Sequence, residues 1–245
     1  MILRRVIEHF RKQEWTAIAL DFVIVVIGVF VGLQVNNWNE ERRESALAEA
    51  YLDRLSGDLS AMEAYLNEMI EESSARYDLT VDLLKAASDR SGDDESLVAA
   101  TEAFFTEGWK TPRFAIIDEV YKDLTSTGNL SLIEPELRQI VTSYYSGLDL
   151  GKERMEIGRD WSLPNDSRFI IEHDVYRWDL TLAALANAQD ASIRRETIVG
   201  ARDDLARLAS MFLYIERVSL EVYNGALAET KAVTTVIDDA RKVAP

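Results

Sequence analysis

Asp21 is the residue of this sequence best placed to do chemistry, because it is a carboxylic acid inside an apolar segment. Residues 16–35 are otherwise hydrophobic or glycine, apart from Thr16 and Gln34. Near the centre of a bilayer a charged side chain costs at least about 2.5 kcal/mol, so it needs a partner. Asp21 is therefore predicted to be either an ion-coupling group or a protonated or hydrogen-bonded contact between helices.

The neighbours of Asp21 on the helical surface favour a contact with a second helix. At about 100° per residue, Ala17, Gly28 and Gly32 fall on the same face as the acid. A GxxxG pair lets two helix backbones approach closely in lipid. Ordinary tolerance of glycine in membrane helices is the alternative explanation. We expect this face to be a packing surface.

The segment around Asp21 has the length and the flanking residues of a transmembrane helix. Its 20 residues would rise about 30 Å as a helix, which matches the thickness of a hydrocarbon core. Trp15 and Trp38 bracket it, as aromatic residues do at membrane interfaces. At its outer end, polar side chains are predicted to line the mouth of an oligomer or to cap the helix: Gln34, Asn36 and Asn39.

Basic residues before the span favour a cytoplasmic N-terminus. Residues 1–14 carry four of them, and the apolar run is too long for a cleaved signal peptide. We therefore expect an uncleaved signal anchor. Its parts are a cytoplasmic tail over 1–14, a transmembrane helix over 15–38, and a domain over 39–245 on the other side of the membrane.

The remainder of the chain predicts an all-α protein. Between Leu52 and Met69 apolar residues recur at alternating spacings of three and four, a seam typical of long packed helices. The seam weakens at Ser73 and Arg76 and resumes at Leu83. We expect the transmembrane helix to continue into this long helix, followed by an extramembrane antiparallel helical bundle. The seam would pack either on a second copy or on the C-terminal helix of the same chain.

Capping residues and prolines predict the other helix boundaries. Thr111-Pro112 is typical of an N-cap followed by a proline in the first turn, and Leu163-Pro164-Asn165-Asp166 is typical of a loop. The predicted helices cover residues 94–107, 111–124, 135–160, 167–187 and 190–242.

Charge and composition argue against several classes of function. A formal net charge of −16 leaves no basic footprint for nucleic acid. The chain has no cysteine and two histidines, without an HExxH motif. His173 has acidic neighbours in the sequence, but adjacent helix positions point in different directions. We predict no catalytic residue, no metal site and no cofactor.

Aromatic residues and an arginine form the best candidate for a recognition surface in the outer domain. The candidates are Trp109, Arg113, Tyr144 and Tyr145, because binding interfaces are enriched in these residue types. Packing of the aromatic rings between helices is the alternative explanation.

The stretch from Gly28 to Glu40, GVFVGLQVNNWNE, resembles a widespread family of uncharacterised single-pass bacterial proteins, classed as a domain of unknown function. Members carry an apolar run ending in Gln-x-Asn-Asn-Trp-Asn-Glu and an acid seven residues before the first glycine. Asp21 occupies that position here, where relatives carry glutamate. A less specific similarity covers residues 126–145. The resemblance implies a bacterial inner-membrane address with a periplasmic domain, and it implies no activity.

These observations predict a non-catalytic, membrane-anchored helical-bundle protein that acts as a scaffold or binding module. Its partners would be the lipid bilayer and either a second copy or another membrane helix. The alternative is an ion channel or an ion-coupling membrane subunit that uses Asp21.

Overall fold

The computed structural model of the chain describes residues 2–173 and 188–243. Throughout these residues every regular element is helical, which confirms the all-α prediction. The elements are α1 (Ile2–Ser88), α2 (Asp94–Ala103), a π-helical turn (Phe104–Gly108), α3 (Glu119–Thr127), a 3-10 turn (Asn129–Leu132), α4 (Pro135–Glu172), α5 (Ala188–Gly200) and α6 (Arg202–Val243).

The chain divides into two compact units, Met1–Leu52 and Asp53–Pro245. The first unit contains the apolar part of α1, which is long and apolar enough to cross a membrane. The predicted apolar helix and the predicted long helix are one element, since α1 extends from Ile2 to Ser88. The boundary predicted between residues 38 and 39 marks a membrane surface, and it stays a prediction.

In the second unit, the seam of α1 is buried along its whole length. The buried positions keep the alternating spacing of three and four through the region where the apolar pattern weakens, because polar side chains continue it. These positions are Leu55, Leu59, Met62, Leu66, Met69, Ser73, Arg76, Thr80, Leu83 and Ala87.

The partner of this seam is α6 of the same chain. Ion pairs link rising residue numbers on α1 to falling numbers on α6, so the two helices are antiparallel. The pairs are Asp53–Arg241 at 2.6 Å, Glu63–Lys231 at 3.5 Å and Arg76–Glu216 at 2.8 Å.

Helix α4 is also antiparallel to α6. Tyr144 is hydrogen-bonded to Thr230 at 2.9 Å, and Arg154 lies 3.2 Å from Glu221 further along the two helices. The predicted antiparallel bundle is therefore present, with α6 packed against both α1 and α4.

The predicted helix over 111–124 is wrong in its first half. Residues 109–118 have no regular secondary structure, and α3 begins at Glu119. Tyrosine hydroxyls take the place of intrahelical partners: Tyr65 and Tyr223 donate to the Arg113 carbonyl at 3.0 and 2.7 Å. The amide of Ala115 donates to the Tyr65 oxygen at 2.9 Å. These hydrogen bonds hold residues 109–118 in an irregular conformation against α1 and α6.

The predicted loop at 163–166 is also wrong, because α4 continues through Pro164. An interior proline removes one backbone hydrogen bond and usually kinks a helix. Here α4 is anchored on both sides of the proline by buried Met155 and Phe169, so packing outweighs the local preference. The predicted helix over 167–187 begins inside α4, and its residues 174–187 lie outside the described part. The final helical region is divided between Gly200 and Arg202.

Candidate functional site

In the first unit, the residues selected from the sequence lie on an uncovered helix. Asp21 is exposed, and a Cβ atom added at Gly28 or Gly32 would meet no described atom within 4 Å. The helix also contains Ala17. The polar residues at the end of the apolar run are exposed as well: Gln34, Asn36 and Asn39. The contact predicted between this face and a helix of another chain stays a prediction.

Trp38 has a cationic neighbour one helical turn further along α1. The guanidinium of Arg42 lies 5.1 Å from the centroid of the Trp38 ring. A tryptophan ring covered by an arginine presents an apolar body and a charged tip, the arrangement that suits a membrane–water interface.

Tyr144 and Tyr145 do not belong to an exposed recognition surface, which corrects that part of the prediction. Their exposed fractions are 4% and 3%. The ring of Tyr145 stacks on Tyr121 with centroids 4.3 Å apart, and burial raises the pKa of Tyr145 far above its ordinary value of 10. Both rings pack in the core because α4 turns their face toward α6 and α3.

Trp109 and Arg113 lie in the irregular segment 109–118. Trp109 is half-buried and packs edge-on against Phe105 at 5.6 Å, while the Arg113 side chain is exposed. Of the two tyrosines that donate to the Arg113 carbonyl, Tyr223 is fully buried and Tyr65 is half-buried, and burial raises the pKa of each phenol. They therefore stay protonated and keep donating their hydrogen bonds at neutral pH.

A cleft of about 520 Å³ lies beside this segment, between α4 and α6. Its rim carries three large hydrophobic side chains with more than half of their surface exposed: Ile157, Trp161 and Tyr214. Its floor is formed by Met155, Phe212 and Ile215, which are buried. Sequence reasoning missed this cleft. The available signal was the four-residue spacing of Ile157 and Trp161 on a face of α4 that the core does not use.

Arginines line the polar side of this cleft. Arg154 and Arg159 are among its lining residues, and the described lining contains no aspartate or glutamate. A smaller adjoining hollow shares Arg159 and adds Arg113 and Lys152. Together the described residues that line the two hollows include four basic side chains and one carboxylate, Glu156, whereas the chain as a whole has a net charge of −16.

A buried polar network links α1 to α6 elsewhere in the second unit. Glu216 is fully buried and accepts a hydrogen bond from Arg76 Nε at 2.8 Å and another from the Ser73 hydroxyl. Glu72 lies 3.4 Å from the Arg76 guanidinium. Burial raises the pKa of Glu216, and the hydrogen bonds from Arg76 and Ser73 oppose that rise.

This network has the character of a structural contact. Glu216 is not among the described residues that line the cleft, and its lone pairs are directed to Arg76 and Ser73. The weak point of the seam at Ser73 and Arg76 was the sequence signal for it. The pair joins α1 to α6 at this level of the bundle.

Metal-ligand chemistry receives no support from the described residues, where no group of three or more His, Asp or Glu side chains could hold an ion. His173 Nε2 lies 3.3 Å from Asp204 Oδ2, and the ring packs on Phe169. This histidine thus has a carboxylate partner on α6.

The fold and these sites define an all-α protein with an exposed apolar N-terminal helix and a separate helical unit built on α6. Comparison of the chain with models of known families, with curated proteins and with solved structures found no match.

Proposed function

We propose that this chain is a non-catalytic, single-pass membrane protein that self-associates through its apolar helix and uses its helical unit as a scaffold or binding module. The observation that carries the proposal is the uncovered apolar part of α1, with an acid and two glycines on one face. A soluble monomer rarely exposes a continuous apolar surface of this length.

The energetic argument rests on the exposed hydrophobic side chains between Leu20 and Val35. Twelve large hydrophobic residues in this range have exposed fractions between 48% and 67%. Full burial of one such side chain is worth about 1.5–3 kcal/mol, and these side chains are only about half exposed, so leaving all of them in water would cost roughly 10–20 kcal/mol. A bilayer removes that cost.

Self-association follows from the face that contains Asp21, Gly28 and Gly32. Lipid is a poor neighbour for a carboxylic acid, and a glycine pair offers backbone surface for close packing. A second copy presents the same face, so a symmetric pair would bring two such surfaces together. The two Asp21 side chains would then share a proton or hydrogen-bond across the contact.

Cross-linking in native membranes tests the self-association. Replacing both Gly28 and Gly32 by isoleucine should abolish the cross-linked dimer, because the added side chains separate the backbones. Phenylalanine at Val23 and Val26, on the opposite face, is the matched control and should leave the dimer intact. An unchanged dimer in the glycine variant would refute the contact, and a cross-link to a different protein would refute self-association.

For location, we propose a bacterial inner membrane with the N-terminus in the cytoplasm and the helical unit in the periplasm. The basic residues of the first 14 positions and the resemblance of residues 28–40 support this orientation. The chain has no cysteine, so a single Lys110→Cys reporter is unique. In intact cells an impermeant maleimide should label it, whereas Arg4→Cys should react only after lysis. The reverse pattern would refute the proposed orientation.

An ion-coupling role is the second candidate, and the specific observation behind it is an ionisable residue within the apolar run. Asp21→Asn separates the two functions. For a scaffold, the variant should keep dimer formation, and wild-type liposomes should show no ion flux above that of empty liposomes. A flux that wild type supports and Asp21→Asn abolishes would favour the ion-coupling role instead.

A further inference from the structure

The cleft between α4 and α6 has the dimensions of a small-molecule site. Its volume of about 520 Å³ falls within the range of about 300–1,000 Å³ that is usual for ligand pockets. Ile157, Trp161 and Tyr214 form its rim, with exposed fractions of 65%, 56% and 54%. A cluster of exposed apolar side chains beside a cleft is a candidate binding surface.

The floor of the cleft is fixed by the core beneath it. Phe212 packs edge-on against Phe104 at 5.2 Å, and both rings are buried. On the wall, Pro112 precedes Arg113, whose carbonyl is held by two tyrosine hydroxyls. A ligand would therefore meet a preformed surface and would spend little binding free energy on ordering it.

The two serines that line the cleft beside its floor do not make it polar toward a ligand. Ser162 and Ser219 are 4% and 1% exposed, and their hydroxyls donate to carbonyls of their own helices, at 3.0 Å to Arg159 and 2.8 Å to Ile215. Because these hydroxyl donors are already used, the floor presents mainly hydrocarbon.

The described charged residues that line the cleft itself are both basic, Arg154 and Arg159. Arg154 and Arg159 pair with Glu221 and Asp160 at 3.2 and 3.3 Å, but these pairs are largely exposed and are therefore weak and exchangeable. The adjoining hollow adds two further basic side chains, Arg113 and Lys152, and one carboxylate, Glu156. Guanidinium groups bind carboxylates in a planar, two-pronged geometry.

We infer that this cleft binds a single-chain amphiphile with an anionic head group, of the long-chain carboxylate class. The hydrocarbon chain would lie against Ile157, Trp161 and Tyr214, and the carboxylate would bind Arg154 or Arg159. The volume suits one chain, and the sign of the charge selects an anion over a cation or a neutral alcohol. The inference goes beyond the proposed scaffold role and does not depend on association of α1, because every residue in it belongs to the second unit.

Photo-cross-linking of the full chain in zwitterionic-lipid nanodiscs tests the inference. The probe is dodecanoate with a diazirine at the end of its chain, and mass spectrometry locates the label. We expect the label on residues 155–162 of α4 and 211–218 of α6. Unlabelled dodecanoate should compete at least tenfold better than dodecanol or dodecyltrimethylammonium. Label spread evenly over the chain, or equal competition by the cation, would overturn the inference.

Two variants with matched controls distinguish binding of the probe in the cleft from its nonspecific partitioning into lipid. Gly158→Trp fills the cleft at a position where an added Cβ meets no described atom within 4 Å, and it should abolish the label. Gly225→Trp, at an equally open position of α6, should not. Charge removal by Arg154→Gln with Arg159→Gln should weaken competition by dodecanoate at least tenfold, whereas Arg168→Gln on the same helix should leave it unchanged.

The source of the amphiphile is tested by changing the lipid of the nanodisc. A free single-chain ligand should label equally well when the disc contains phosphatidylglycerol. If this anionic membrane lipid suppresses the label as strongly as free dodecanoate does, the cleft recognises a membrane head group and the inference is overturned. Unchanged labelling in Gly158→Trp would overturn it as well. Loss of the α1 dimer in the Gly28 and Gly32 variant would leave all these outcomes unaffected.

Discussion

Replacing Arg76 by methionine, with Glu216 left in place, should destabilise the second unit strongly. Glu216 is fully buried and Arg76 is 5% exposed, with two nitrogen–oxygen contacts at 2.8 and 3.4 Å. The variant removes the cation and leaves a buried carboxylate with the Ser73 hydroxyl. Breaking a buried pair in this way costs about 3–5 kcal/mol, a large share of the roughly 5–15 kcal/mol that stabilises a typical domain.

The double variant Arg76→Met with Glu216→Leu should recover that loss. Two apolar residues of similar volume avoid the desolvation cost of both charges, so the double variant should be as stable as wild type or more stable by about 1–4 kcal/mol. The assay is guanidinium unfolding of the full chain in nanodiscs, followed by circular dichroism. A loss below about 1 kcal/mol in the single variant would refute the reasoning. So would a double variant as unstable as the single one.

The pH dependence of the single variant gives an independent check. Without Arg76, burial still raises the pKa of Glu216 above its ordinary value of 4.5, and the main opposing contact is gone. An acid with a raised pKa in the folded state is protonated in both states below its unfolded pKa and costs nothing extra there. The cost grows as the pH rises above the unfolded pKa and is complete above the folded pKa. The destabilisation relative to wild type should therefore be small near pH 4 and largest near pH 8.

Three further predictions concern local contacts of the second unit. Tyr223→Phe removes one of two donors to the Arg113 carbonyl and should cost about 0.5–1.5 kcal/mol, with faster hydrogen exchange confined to residues near 113. Gly128→Ala should cost about 1–2 kcal/mol because this residue has a φ of 77°, whereas Gly225→Ala in α6 should stabilise by about 0.5–1 kcal/mol. Thermal melts compare the two. Asp58→Ala should cost about 1 kcal/mol, since this carboxylate accepts from an amide in the first turn of α3, and unchanged proteolysis of α3 would contradict that.

Periodicity predicted the long elements because burial there repeats with the helix. The apolar run of α1 and the seam from Leu55 to Ala87 follow from spacing alone. The same reasoning interpreted Ser73 and Arg76 as a weak part of the seam, because periodicity considers only hydrophobicity. It cannot detect that Glu216, 140 residues from Arg76 along the chain, accepts hydrogen bonds from both side chains.

Predictions from local sequence were wrong where side chains distant in the sequence determine the backbone conformation. Thr111-Pro112 has the chemistry of a helix start, but Tyr65 and Tyr223 bind the carbonyl two residues from Thr111 and stabilise an open segment. Pro164 has the chemistry of a loop, but α4 is packed on both sides of it. The cleft combines residues from three separate segments, so no single stretch of sequence could reveal it.

The position of α6 after both of its packing partners in the chain has a consequence for folding during translation. Both α1 and α4 leave the ribosome before α6 exists, and α6 is the helix on which both of them pack. Until it emerges, the seam of α1 has no intramolecular cover, and its charged residue at position 76 has no counter-ion at 216. A nascent chain stalled before residue 202 should therefore bind chaperones along this seam, and release should require synthesis of the last helix.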